Sequence, residues 1–108
     1  MDSPKSLKEV LSSINNGEYT LTDLVNHYCS RIKKYKHLNA FIEVYEQEAL
    51  KNAQIIDKKI KNGTSGKLAG MVLAIKDNIC YKNHRSTASS GVLKGFESIY
   101  SATAVEKL

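Results

Sequence analysis

The sequence lacks most of the marks of a specialised protein class. A single proline among 108 residues, with 42% hydrophobic and 25% charged side chains, excludes a disordered or low-complexity chain and leaves an ordinary globular composition. Only two cysteines occur, Cys29 and Cys80. They are too far apart for any metal-binding or redox spacing, so a free thiol in a reducing cytosol is the expectation. No apolar run approaches the roughly 20 residues of a membrane span, and the opening "MDSPKSLKEV" has no apolar signal region. The chain therefore reads as cytoplasmic. Internal repeats are absent. His84 has no His, Cys or Asp partner at metal spacing, and His27 and His37 read as surface and helix-end residues, so no metal is expected.

Positive charge is present in excess. The net charge is +5 with a pI near 9.2, which suits an acidic partner. The lysines are scattered, however: Lys33, Lys34 and Lys36, then Lys58, Lys59 and Lys61, with acids between. Solvated helix faces explain that spacing better than a nucleic-acid patch. A small basic RNA-binding module, with the salt-dependent affinity such a module shows, stays as the rival reading from another class. The tyrosines follow no strand-pair pattern and read as packing and rim residues.

Hydrophobic periodicity predicts three helices. Leu7, Val10, Leu11 and Ile14 form the first stripe, with Ser6 as N-cap and "NNG" as the stop. Thr20 opens the second, with Asp23 completing an approximate capping box. Leu21, Leu24, Val25, Tyr28, Cys29, Ile32 and Tyr35 make its apolar face, and "RIKKYK" sets cations at its negative end. The third runs from Glu46 to Lys61 on Ala49, Leu50, Ala53, Ile56 and Ile60, and Gly63 ends it. Between the last two, "NAFIEVY" alternates as a strand does. "MVLAI", residues 71–75, is apolar on both faces, as in a parallel or mixed sheet covered by helices. A last helix opens within "YSATAVEKL", capped by Ser101 or Thr103. Because it stops after about one turn, where nucleation has brought little return, the chain reads as cut in mid-element. The fold class expected is α/β: N-terminal helices plus the first strands of a mixed sheet.

"MVLAI" runs directly into Lys76, Asp77 and Asn78. Lys76 is either the first solvated residue after a buried strand or a lysine held at the edge of a core for chemistry. "KDN" is a fair turn sequence, which favours the first. The second requires a poorly solvated amine, since desolvation disfavours the ammonium and frees a proton acceptor. It also requires hydroxyls nearby, and the Ser/Thr-rich residues 86–90 lie close in sequence. Arg85 beside them reads as the partner of an acid.

"LAGMVLAIKDN", followed by "RSTASSGVL" and "YSATAVEKL", resembles the N-terminal part of the amidase signature family. Within that family the pattern is most similar to the glutaminase branch, which serves the glutamyl-tRNA(Gln) amidotransferases. The resemblance covers nearly all of residues 1–108, as part of one domain that breaks off before the family's Gly/Ser-rich catalytic segment. It implies a Ser–cis-Ser–Lys triad in which Lys76 is the base. The amine takes a proton from a bridging serine, which deprotonates the nucleophilic serine. Both serines belong to that later segment, and Ser86, Ser89 and Ser90 do not replace them. Asp77 and Asn78 match positions that set the turn.

The resemblance further implies glutamine as substrate and ammonia as product. The B and C subunits of the amidotransferase are the implied partners, with ATP and Mg2+ on B and no cofactor in this chain. Glu-tRNA(Gln) is the final acceptor. A hydrolase of small amides is the alternative inside the family. Departures from the family pattern include Val72 in place of proline, Asn83 in place of glycine, and Ala88 and Ser101. Asparagine tolerates the left-handed backbone that a glycine position demands.

Overall fold

The computed structural model describes residues 3–108. The chain divides into two compact units, Met1–Val72 and Leu73–Leu108.

The first unit is helical. α1 spans Leu7–Asn15, α2 Leu21–Lys34 and α3 Glu46–Lys61, with a 3-10 turn at Lys36–Leu38. The caps follow from the sequence. Ser6 accepts from the Glu9 amide at 3.2 Å. Thr20 and Asp23 cap each other's backbone at 3.1 and 2.9 Å, a complete capping box. Those bonds, the one from the Thr20 hydroxyl first, hold the Asp23 carboxyl below its usual range. Its contribution is therefore present at neutral pH and lost as acid protonates it.

α1 and α3 end in the same way. After α1, Gly17 (φ 74) and Glu18 donate to Ile14 and Ser13; after α3, Gly63 (φ 67) and Thr64 donate to Ile60 and Lys59. Both are Schellman ends, which need a residue at positive φ that glycine supplies without strain.

α2 and α3 pack against each other and carry most of the core. Val10, Leu21, Leu24, Val25, Cys29 and Ala53 are buried, with Ile14, Tyr19, Tyr28, Ala49, Leu50 and Ile56 around them. Burial of the Cys29 thiol pushes its pKa up and leaves it a small apolar filler. Tyr35, the last residue of the predicted stripe, is instead exposed, with Arg31 and Lys34 over its ring.

One contact ties α2 to α3 more tightly than apolar packing alone. Asp57 on α3 accepts from the amides of Leu21 (2.8 Å) and Thr22 (3.1 Å) and from the Thr22 hydroxyl (2.7 Å). Thr20 serves one free amide at the start of α2 and Asp57 serves two more, from across the helix pair. Asp57→Ala strands those donors and is expected to cost about 1–3 kcal/mol. A urea titration reads this as a lower midpoint at unchanged slope; an unchanged midpoint would show the cap to be idle.

The two expected strands are not formed. Residues 39–45 run as irregular chain after Asn39 turns left-handed (φ 50), and Phe41, Ile42, Val44 and Tyr45 are exposed. Residues 71–76 have no ladder partner, and Met71, Val72, Leu73 and Ile75 stand 39–48% exposed. The mixed sheet is thus a correction to the α/β expectation. Among the described residues the only β pairing is an isolated bridge between Arg85 and Glu97. Alternation and apolar runs specify what a strand would bury, but a strand exists only when a second segment takes up its backbone hydrogen bonds.

A tight turn precedes residues 71–76: Met71 donates to Leu68 at 3.0 Å, with Gly70 at φ 96. A Cβ there would sit 3.2 Å from a Val10 methyl. This gives the motif glycine two physical reasons, a positive φ and a close approach to α1.

The second unit buries no apolar residue. Its buried positions are Ser86 and Ser98, so backbone and hydroxyl hydrogen bonds hold it. Asn83 and Ser86 donate to Ser98 and Phe96, and Ser98 returns a bond to His84. Asn83 takes the left-handed conformation (φ 63) that its place in the motif requires. α4, Thr103–Glu106, begins at Ala102, whose side chain cannot cap. Ser101 does not cap it, because its hydroxyl accepts from the Lys82 amide at 3.0 Å.

Candidate functional site

The segment around Lys76 is the one stretch where sequence chemistry and structural order coincide. Lys76 closes a turn, its carbonyl accepting from the Ile79 amide at 2.9 Å. Its side chain is exposed and makes no ion pair among the described residues. The dry surroundings that a neutral amine needs are therefore not furnished by residues 71–75.

Asp77 is the better-anchored neighbour. Its carboxylate accepts from the Thr87 amide (3.2 Å) and from the Thr87 hydroxyl. The Ala88 and Ser89 amides add a smaller electrostatic pull on it. These donors, Thr87 foremost, hold its carboxyl below the ordinary carboxylate range. The link stands at neutral pH and weakens only on acidification.

The Ser/Thr-rich stretch does reach the K-D-N turn, though not as a proton relay. Ser86 donates its hydroxyl to the Asp77 carbonyl at 2.8 Å, which engages its single proton. Residues 86–88 are brought onto Asp77, the residue next to Lys76.

The remaining singled-out residues serve structure. His27 is half-buried, its Nε2 3.2 Å from Ser3 Oγ. His84 stacks on Tyr81 at 3.9 Å, and its Nδ1 lies 2.7 Å from the Lys82 carbonyl. Arg85 pairs with Glu97 through the backbone bridge already described. Cys80 is a half-buried free thiol. Among the described residues no group of three His, Cys, Asp or Glu side chains gathers as a metal site would require. No helix there is long and apolar enough to cross a membrane.

Residues 23–108 match the profile of the Amidase family. The chain belongs to that family.

The amidase relatives point one way, and all three compared are the A component of a glutamyl-tRNA(Gln) amidotransferase. The chain is 44% identical over 105 residues to the human mitochondrial protein. It is 39% identical over 104 residues to that of Pelodictyon phaeoclathratiforme and 38% identical over 104 to that of Chlorobium phaeobacteroides. Each alignment covers 95–96% of this chain but only 20–22% of the relative. The chain thus spans about a fifth of the length of the amidases it matches.

Thr87 and Asp57 escaped the sequence reading. Thr87 sat in a stretch notable only for small hydroxyls, followed by a left-handed turn at Ala88 (φ 48) and Ser89 (φ 58) that neither residue type signals. Asp57 lies 36 positions from the amide it caps, beyond the reach of any local pattern.

Proposed function

We propose that this chain is the N-terminal part of a glutamine-hydrolysing amidase that supplies ammonia for converting Glu-tRNA(Gln) to Gln-tRNA(Gln). The observation that carries the reading is identity of 38–44% to A subunits of glutamyl-tRNA(Gln) amidotransferases along almost the whole chain. On this reading Lys76 is the base of the Ser–cis-Ser–Lys triad.

The neutral amine accepts a proton through the bridging serine as the second serine attacks the glutamine carboxamide. That proton returns to the departing nitrogen, ammonia leaves, and water hydrolyses the glutamyl ester. The two serines and the walls that keep water from Lys76 come from a later part of the polypeptide. The B and C subunits are the partners, and ATP and Mg2+ belong to B. The setting is cytoplasmic, where Cys29 and Cys80 stay reduced.

Mixing the full-length protein with the B and C subunits, glutamine, ATP and Glu-tRNA(Gln) tests this directly. Glutamine-dependent formation of Gln-tRNA(Gln) is expected. Hydrolysis of small aryl or acyl amides with no transfer to tRNA would replace the reading with that of a free-standing amide hydrolase. The 108 residues alone hold a base and no nucleophile, so they are expected to release no ammonia from glutamine; measurable turnover would refute the assignment of the serines.

A further inference from the structure

Asp77 is gripped at both ends of the residue. Its backbone carbonyl accepts from the Ser86 hydroxyl (2.8 Å) and the Ala88 amide (3.3 Å). Its carboxylate accepts from the amide and hydroxyl of Thr87. The successive amides of Thr87 and Ala88 thus both end on Asp77, one on its carboxylate and the other on its carbonyl. The backbone is left-handed at Ala88 (φ 48) and Ser89 (φ 58). Neither alanine nor serine favours that conformation, so the surrounding bonds must hold it there.

Lys76 is thereby held on its C-terminal side. Its own carbonyl is committed to the Ile79 amide at 2.9 Å, and the residue after it is held by residues 86–88. The Asp77 carboxylate is engaged by Thr87, and among the described residues no ion pair joins it to the Lys76 ammonium. The lysine side chain leaves a backbone held by the turn that follows it, with its amine uncommitted among the described residues.

We propose that Asp77, anchored chiefly by Thr87, is a positioning residue that sets the direction from which the Lys76 amine meets the hydroxyl it deprotonates. The proposal rests on the reading of Lys76 as base given above. Its chemistry is orientation alone: Asp77 exchanges no proton with substrate, and a misdirected base loses rate without losing substrate affinity.

The test uses the full-length protein and glutamine hydrolysis. Asp77→Asn keeps the size but replaces one acceptor oxygen with a donor. Thr87→Val keeps the shape of threonine and removes its hydroxyl, so it probes the same link should the asparagine variant fail to fold. Both are expected to lower kcat on the order of 10- to 100-fold while KM stays within about twofold. Thr87→Ser, which restores the donor, is expected to restore kcat.

A purely structural role would lower the melting temperature and leave kcat per folded molecule untouched, which overturns the proposal. So would equal losses in Thr87→Ser and Thr87→Val. Lys76→Ala separates the two layers. If it is inactive while Asp77→Asn and Thr87→Val keep full kcat, the positioning role falls and the base assignment stands. If Lys76→Ala is itself active, the base assignment fails and the positioning role with it.

Discussion

Lys76→Ala in the full-length protein is expected to reduce glutamine hydrolysis on the order of 10²–10⁴-fold, the usual contribution of a general base. The structure makes the loss attributable to chemistry. The Lys76 side chain is exposed and has no salt-bridge partner among the described residues. Its structural bond runs through the backbone carbonyl to Ile79, which alanine retains. Folding, read by a thermal melt, should therefore hardly change.

Lys76→Arg sharpens the test. A guanidinium keeps the charge and much of the length but cannot release its proton to become a base, so this variant should be as inactive as alanine. Arginine at near-normal turnover would show that residue 76 contributes charge or packing, and Lys76 would revert to the solvated end of an apolar segment.

Leu24→Ala carries the largest expected effect on stability. Leu24 is 1% exposed and lies in a core of six buried apolar residues. Replacing a fully buried leucine with alanine costs about 2–5 kcal/mol, the upper end applying where the site cannot collapse. Three helices bearing on one small core leave little slack for collapse. Against total stabilities of roughly 5–15 kcal/mol for ordinary domains, one such change can unfold the first unit. Leu24→Met conserves volume and should cost less than about 1.5 kcal/mol. Urea titrations of the three proteins decide it. Equal midpoints for leucine and alanine would mean that the buried cluster does not carry the stability.

Local chemistry was legible and distant pairing was not. Thr20 and Asp23 are three residues apart, and Gly17 and Gly63 directly follow the helices they end. Each device acts within a turn or two of its own residue, so its sequence signature and its geometry coincide. The same holds for Asn83, whose side chain tolerates the left-handed turn its position imposes. The strand expectations at residues 39–45 and 71–75 failed for the opposite reason. Alternation around Phe41 and Val44, and the unbroken apolar run after Gly70, describe surfaces suited to burial, and burial depends on what stands opposite.

Residue types and spacing by themselves determined the three long helices, their caps and the motif around Lys76 that marks the chain as an amidase, because each depends on neighbours along the backbone. Only the tertiary structure decided that Asp57 caps a helix 36 positions away, that Gly70 must lie bare against Val10, and that Thr87 clasps Asp77 beside the lysine. A hydrogen bond or a close contact between segments depends on distance in space, and that distance is set only once the chain has folded.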